Sequence, residues 1–411
     1  MSDKIRIGLI GLGQRSVIFL DGVIFGLDHV QVVAVCDLYD DRQQECANKI
    51  KEKTGIMPVC TSNYQDILKM DNVDAVIICT DWSWHVRIAC DAMRAGKIVG
   101  CEVGGAYSID DCWELVRTYE ETKTPIMMLE NCCYGRDELM LLRMVMQGDF
   151  GEVVHCQGAY RHDLRSEISE GRENRHYRLN NYRYRNCDNY PTHELGPIAK
   201  LLKINRGNRM VSLSSVSSKA VGLHEYLLKT KGAEYDLSSA SFMQGDVITT
   251  TIRCSGGETI VLTLDTTLPG SYSRGLQVKG TKAAYIEDNQ SLFLDGEHNA
   301  YDYTWKEHWG NIEKYREKYE HPIWKKYLDD GVRGGHDGID YLVLNAFFDS
   351  IRYHHHMPID VYDMASWISI SALSEQSIAT GGQPVPMVDF TGGRWVKPEQ
   401  AECWQYSLDT F

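Results

Sequence analysis

Five short runs of almost unbroken apolar residues, at Ile5–Ile10, Val30–Cys36, 75–79, Ile98–Cys101 and 126–129, alternate with stretches of helical period such as 41–54 and Ile109–Thr122. Strands apolar on both faces must be covered on both faces, which in a β-α alternation means a parallel sheet between helices. Residues 1–150 are therefore expected to form a doubly wound α/β domain. From residue 151 the pattern turns to polar and apolar alternation, at 153–160, 211–217, 247–253, 259–264 and 275–279, with Gly-rich or polar turns between. Alternation means a sheet with one solvated face, so 151–411 is read as an α+β domain carrying an open-faced, mostly antiparallel sheet. A helix is expected from about Asp337 to the run His354-His355-His356, and another over 363–380, stopped by Gly381-Gly382. These C-terminal helices are expected to pack back on the first domain.

The turn behind the first run reads Gly8-Leu9-Ile10-Gly11-Leu12-Gly13-Gln14-Arg15-Ser16. Gly11 and Gly13 fall where strand passes into helix, and their missing side chains let backbone N–H groups approach a pyrophosphate at the positive helix end. Ser16 stands where a third glycine is usual, and is still small enough for helix to pack closely on strand. The second run leads into Asp37, about 20 to 25 residues past the turn, where a carboxylate accepts both ribose hydroxyls and repels a 2′-phosphate. Strand, turn, helix, strand and acid in this order predict an N-terminal Rossmann domain that binds NAD rather than NADP.

Of the 411 residues 43% are hydrophobic and 24% charged, a soluble globular composition long enough for two cores. The formal net charge of -14 would repel a phosphate backbone, so no nucleic-acid partner is expected. One stretch runs against this balance: Arg172, Arg175, Arg178, Arg183 and Arg185 lie among Tyr177, Tyr182 and Tyr184. Diluted by Glu167, Glu170 and Glu173, it reads as a solvated arm, an oligomer contact or a polar-substrate loop. No apolar stretch approaches the roughly 18 residues of a membrane span, and no leader pattern precedes the first strand. A cytoplasmic protein without a membrane partner is expected. The 13 cysteines include no Cys-x-x-Cys pair and suit free thiols in a reducing compartment. No metal is expected either, because neighbours on a helix, such as the three consecutive histidines, point about 100° apart.

Segment 188–202 is expected to run from loop into helix, with Pro191 near the start and His193 in the first turn. A histidine there titrates near neutrality and can exchange protons with a hydroxyl; capping or core packing is the other reading that spacing allows.

Cys79-Thr80-Asp81-Trp82-Ser83-Trp84-His85 and Cys101-Glu102-Val103-Gly104-Gly105-Ala106 resemble the oxidoreductase superfamily named after glucose-fructose oxidoreductase, inositol dehydrogenase and MocA. Ordinary members read Glu-Lys-Pro at the second place, where the lysine assists proton transfer at the reacting carbinol; Val103 replaces it here. Further stretches resemble one branch of that superfamily. They are Met128-Leu129-Glu130-Asn131, His155-Cys156-Gln157-Gly158-Ala159-Tyr160, His162-Asp163-Leu164-Arg165, Tyr190-Pro191-Thr192-His193-Glu194-Leu195-Gly196-Pro197 and Ile204-Asn205-Arg206-Gly207. Gln244-Gly245-Asp246, Asp265-Thr266-Thr267-Leu268-Pro269, Tyr272-Ser273-Arg274-Gly275 and Gly334-Gly335-His336 continue the series. The branch is glycoside hydrolase family 109, whose named activity is NAD-dependent α-N-acetylgalactosaminidase. Two departures stand out: Gly104-Gly105-Ala106 where Pro-Ala-Ala is expected, and Glu194 where glycine is common.

The resemblance implies that NAD, seated on the turn of Gly11 and Gly13, touches Gln14, Arg15, Asp37, Trp82 through Trp84 to His85, Glu102, Val103 and Asn131. It implies that a small-molecule sugar or glycoside touches Tyr160, Arg178, Tyr190, Pro191, Thr192, His193 and Tyr272; a tyrosine ring suits the apolar face of a pyranose. His336 is a further candidate for lining the site. The implied reaction is a redox route to hydrolysis: oxidation at C3, loss of the C2 proton, elimination of the C1 substituent, addition of water, and reduction back at C3. His193, helped by Tyr190, is expected to handle the carbinol proton, and Tyr160 or His162 the C2 proton. Net redox change is zero. A net sugar dehydrogenase and a non-catalytic NAD-dependent sensor are the competing readings. A homo-oligomer is expected, since superfamily members bury the open sheet face against a partner subunit.

Overall fold

The computed structural model describes residues 4–334 and 336–410; Gly335, within the Gly334-Gly335-His336 motif, lies outside the described residues. The chain divides into two compact units. The first takes the chain up to Gly135, then Pro322–Ala365 and the segment from Gln400 onward; the second takes Arg136–His321 and Ser366–Glu399.

The first unit is built on a six-stranded parallel sheet of β1 (Ile5–Ile10), β2 (Val30–Cys36), β3 (Val59–Thr61), β4 (Ala75–Ile78), β5 (Ile98–Cys101) and β6 (Ile126–Met128), in the order β3-β2-β1-β4-β5-β6. Helices cover both faces, so Ile7, Leu9, Val76 and Ile77 are shut from solvent on either side. Local chemistry sets the helix ends. Asp81 caps Trp82–Arg94 by accepting from the Ser83 N–H at 2.8 Å, and Ser108 caps Ile109–Thr122 by accepting from the Asp111 N–H at 3.1 Å. Gly55, at φ 75°, ends Asp40–Thr54. The edge strand β3 is three residues long with Val59 exposed, too short for a periodicity to announce it.

Helix Ile339–Tyr353 also belongs to this unit and buries Leu342, Val343, Phe347 and Phe348. Gly100 of β5 makes room for it, since a Cβ there would stand 3.2 Å from the Phe347 ring. The helix starts two residues later than the pattern suggests, because His336 and Asp337 adopt positive φ of 50° and 53° and only Gly338 leads into it. The histidine run closes it: His354 takes the left-handed cap at φ 58°, and His355 pairs with Glu402 and stacks on Trp404 at 4.5 Å.

The second unit holds an eight-stranded sheet of β7 (Val153–Arg161), β8 (Met210–Ser217), β9 (Val247–Cys254), β10 (Thr259–Asp265), β11 (Gln277–Gly280), β12 (Ala283–Ile286), β13 (Ser291–Leu294) and β14 (Val385–Pro386). Its order is β13-β12-β11-β7-β10-β9-β8-β14; β7 and β10 run parallel, and the other described pairs are antiparallel. Ile248, Ile252, Ile260, Leu262 and Leu264 face inward while Thr249, Thr251, Val261 and Thr263 keep some exposure, as alternation requires. β11 begins at Gln277 rather than 275 because Gly275 turns at φ 56°, its N–H donating to the Ser273 hydroxyl at 2.9 Å.

The basic and aromatic segment divides: Arg172 and Arg175 are exposed, and the second half is no solvated arm. It folds into helix Arg178–Tyr184, with Arg178 and Tyr182 buried and Tyr184 left exposed.

Candidate functional site

In the first unit the residues expected to hold a dinucleotide gather at the C-terminal ends of the strands. Gly11 needs its φ of 88°, and a Cβ on it would meet the Cys79 carbonyl oxygen at 2.6 Å. A Cβ on Gly13 would have Arg42 Nη1 as its nearest neighbour at 4.0 Å, so space lies open above the turn. Ser16 donates its hydroxyl to the Gly11 carbonyl and closes the turn from within. Asp37 follows β2 and reaches back: it accepts from the Leu12 N–H at 2.7 Å and the Tyr39 N–H at 3.0 Å, and each oxygen keeps acceptor capacity for a ribose hydroxyl. A glycine turn with open space over it and an acid beside it fits NAD.

Beyond β4, Trp82 lies buried against Gly104, where a Cβ would come within 2.6 Å of the indole; glycine in place of the expected proline is what admits the ring. Trp84 is exposed under the Arg87 guanidinium, 5.0 Å from its ring centre. His85 lies with Nε2 3.0 Å from the Thr80 carbonyl, and burial pushes it down to about 4, so it stays neutral and braces the loop. Val103 is buried and Gln14 exposed.

The other expected cofactor residues meet on an acid that the motifs do not name. Arg15 donates from Nε to Glu102 at 2.8 Å and forks onto Asp340 at 2.8 and 2.9 Å, with its guanidinium 4.2 Å from the centre of the Phe19 ring. Asn131 donates to the same Asp340 at 2.7 Å, and His336 Nδ1 lies 2.6 Å from it. Burial alone would raise the wholly buried Asp340; the His336 hydrogen bond and the Arg15 charge overcome it and hold the carboxyl down to about 2.

In the second unit the expected sugar residues converge as well. Tyr160 is the last residue but one of β7, His162 follows the strand, Tyr190 lies just before helix Thr192–Leu201 and His193 in its first turn. The Tyr160 and Tyr190 ring centres are 4.6 Å apart, with His193 4.8 Å from Tyr190 and 5.6 Å from Tyr160. Tyr272, half exposed, closes the group at 5.2 Å from His162. Two proton-handling pairs result: Tyr160 Oη with His162 Nδ1 at 3.0 Å, and Tyr190 Oη with His193 Nε2 at 3.4 Å. Arg178 lies 4.9 Å from the Tyr190 ring centre and pairs with Glu167 at 2.8 Å. Burial first, and Arg178 second, hold His162 below the usual imidazole range. Pro191 and Thr192 are buried, bracing the helix start. A cavity of about 180 Å³ opens beside His162, lined by Arg161, Asp163, Asp265, Leu268, Gly270 and Ser271.

Residues 134–397 match the family described as Glycosyl hydrolase 109, C-terminal domain, and residues 5–129 match the Oxidoreductase family, NAD-binding Rossmann fold. The chain belongs to glycosyl hydrolase family 109. A glycosyl hydrolase family 109 protein of Stenotrophomonas maltophilia (strain K279a) is 38% identical, across 95% of this chain and 90% of that protein. The alpha-N-acetylgalactosaminidase of Tannerella forsythia is 36% identical, across 97% and 88%. Among solved structures, myo-inositol 2-dehydrogenase from Lactobacillus plantarum superposes with a TM-score of 0.67 over 94% of this chain and 100% of that one, at 14% identity, and so shares the fold. Family 109 membership and the NAD-binding domain make this chain an NAD-dependent glycosidase of the oxidoreductase superfamily.

For a family 109 hydrolase, two features of the structure go beyond the motifs. Asp340 was missed: it lies in the first turn of helix Ile339–Tyr353, and the left-handed turn at His336 and Asp337, which no local pattern announces, brings His336 against it. Glu194, the departure from glycine, is buried and turns onto the sheet: a Cβ on Gly158 of β7 would come within 2.8 Å of the Glu194 Cβ. This chain also buries Asp188, two residues before Tyr190. Its N–H donates to the Ser374 hydroxyl at 2.9 Å and its carbonyl accepts from the Ser371 hydroxyl at 2.6 Å, which ties the loop before His193 to helix Val361–Ala379. Among the described residues no helix is long and apolar enough to cross a membrane.

Proposed function

We propose that the chain hydrolyses N-acetylgalactosaminides or closely related hexosides by transient oxidation at C3 and elimination across C1 and C2. The observation that carries this reading is the pairing of two proton-handling groups side by side, Tyr190 with His193 and Tyr160 with His162, their tyrosine rings 4.6 Å apart. The scheme needs protons managed at neighbouring atoms, the C3 hydroxyl and the C2 carbon, and two adjacent pairs suit that demand. Bound NAD, held by Gly11, Gly13, Gln14, Arg15, Asp37, Trp82, Trp84, His85, Glu102, Val103 and Asn131, supplies the removal of a hydride from C3 and its later return.

His193 takes the C3 hydroxyl proton, with Tyr190 holding its imidazole. This covers the task that a lysine at Val103 would perform. The C3 ketone acidifies the C2 proton. His162, kept neutral by burial and by Arg178, accepts from the Tyr160 hydroxyl, so that Tyr160 oxygen takes the C2 proton as the C1 substituent departs. The Tyr160–His162 pair passes its proton to the departing C1 oxygen; water then adds across the C1–C2 double bond, oxygen to C1 and proton to C2, and C3 is reduced as His193 gives its proton back to the C3 oxygen. Arg178 and Tyr272 hold the ring, and the cavity beside His162 receives the leaving group.

The relative from Tannerella forsythia supports the choice of sugar. Turnover in D₂O tests the route: deuterium at C2 of the released sugar is expected, and a product without it overturns the elimination. Stoichiometric NADH release with the glycosidic bond intact would overturn it in favour of a dehydrogenase. We further propose a cytoplasmic homo-oligomer. Buried free thiols support a reducing compartment, and the exposed Val154 and Val216 on sheet strands β7 and β8 support a partner copy.

A further inference from the structure

Arg15 faces Glu102 at 2.8 Å and Asp340 at 2.8 Å, so two carboxylates surround one guanidinium and these three groups together carry one net negative charge. Glu102 follows β5 and Asn131 follows β6, on the far side of β1 from Asp37. In this topology that half of the sheet takes the second nucleotide of the dinucleotide, the one bearing nicotinamide. NAD⁺ and NADH differ there by one unit of charge: the oxidised ring is cationic and the reduced ring neutral, while pyrophosphate, riboses and adenine are common to both.

We propose that the network of Arg15, Glu102 and Asp340 selects the redox state of the cofactor, binding NAD⁺ in preference to NADH, with Asp340 the positioning residue that holds Arg15 and Asn131 in place. The arrangement is built rather than incidental. Asp340 is wholly buried, and the Arg15 guanidinium is pinned over Phe19, so it stays shared between the two carboxylates. Glu130, also wholly buried, adds a carboxylate at the end of β6, where it accepts from the Cys132 N–H at 3.1 Å. The turn that delivers Asp340 holds His336, Asp337 and Gly338 in succession at φ of 50°, 53° and 97°, a conformation that costs energy in the first two residues and is kept by the contact of His336 with Asp340. One consequence rests on the glycosidase reading: a site that favours the oxidised form returns a hydride to the sugar more readily than it accepts one. A closed cycle then finishes in preference to releasing a ketone.

The test needs only the purified chain and the two cofactor forms, so its failure is separate from failure of the glycosidase reading. Dissociation constants for NAD⁺ and NADH are measured by isothermal titration calorimetry at pH 8, and their ratio is compared between the unaltered chain, D340N, E102Q and R15Q. Contacts shared by the two forms cancel in that ratio. The unaltered chain is expected to bind NAD⁺ more tightly. Removing one carboxylate in D340N or E102Q should cut the preference by about tenfold, the effect of one unit charge about 12 Å away at an effective dielectric constant of about 20. R15Q should raise it. A ratio that moves the same way in all three, or in none, overturns the proposal. Should D340N not fold, E102Q and R15Q, with opposite expected signs, still decide it.

Discussion

In the first unit Asp340 is wholly buried and held ionised by Arg15, Asn131 and His336, with its carboxyl down at about 2; in the second unit Asp188 is equally buried, and burial pushes its carboxyl up to about 7. The Tyr190 backbone N–H and the Thr250 hydroxyl pull Asp188 the other way without prevailing. Both acids lie behind residues of the proposed chemistry, yet one is a fixed charge and the other sits near the point of losing its charge. The difference follows what each region is proposed to meet. A dinucleotide carries charges that change during the reaction, and fixed charges respond to them. A neutral sugar is met by aromatic faces and by pairs that pass protons, and the Arg178 guanidinium beside them is paired with Glu167, since an unpartnered permanent charge would be a desolvation cost.

The comparison can be broken most directly at His193. Replacing it with alanine should lower kcat by about a thousandfold, the span of general acid-base catalysis, while calorimetry shows NAD affinity unchanged; a matching loss of NAD affinity would contradict the division of labour. Arg15→Leu removes the cation from two buried carboxylates and should cost about 3 kcal/mol of stability, read from chemical denaturation. Asp188→Asn sharpens the contrast through pH. Because folding raises the Asp188 carboxyl from its ordinary range to about 7, the native state binds the proton more tightly than the unfolded chain does, and this residue's contribution falls as pH rises between about 4 and about 7. The asparagine variant should gain on the unaltered chain over that window, by on the order of 4 kcal/mol at pH 8. Asp340 has the opposite sign: its contribution is complete above about pH 4 and is lost as pH falls through about 2. Parallel pH profiles for the D188N and unaltered chains would refute the assignment. Gly104→Ala forces a Cβ against the Trp82 indole and should weaken NAD binding by about tenfold, roughly the 1 to 2 kcal/mol of mild overpacking. Tyr272→Ala, at the exposed rim, should raise KM for an aryl glycoside a few-fold, about 1 kcal/mol, and leave kcat nearly unchanged.

Legibility in the sequence tracked distance along the chain. The glycine turn, the acid after β2, the five apolar strands and the helix opening at Thr192 are local patterns, and the family motifs are local strings as well. β12, β13 and β14 are short, and lie at or toward an edge of their sheet, where few neighbours impose a periodicity. The start of helix Ile339–Tyr353 was placed two residues early because positive φ at His336 and Asp337 has no compositional signal; neither is glycine. Burial of Arg178 and Tyr182 was hidden for a related reason: the groups they meet, the Tyr190 ring and the Thr266 hydroxyl, are distant in sequence.

The sequence by itself determined the fold class, the NAD-binding turn and the membership of family 109, because each rests on the order of residue types over short spans. Tertiary structure decided which side chains meet. Arg15 and Asp340 are 325 positions apart, and Tyr272 closes on His162 across 110. It also decided their charge: two aspartates alike in composition become a fixed anion and a near-neutral acid according to whether folding brings a guanidinium to them or only burial. A residue's type sets what it can donate, accept or ionise, and only its neighbours in space set which of these it does.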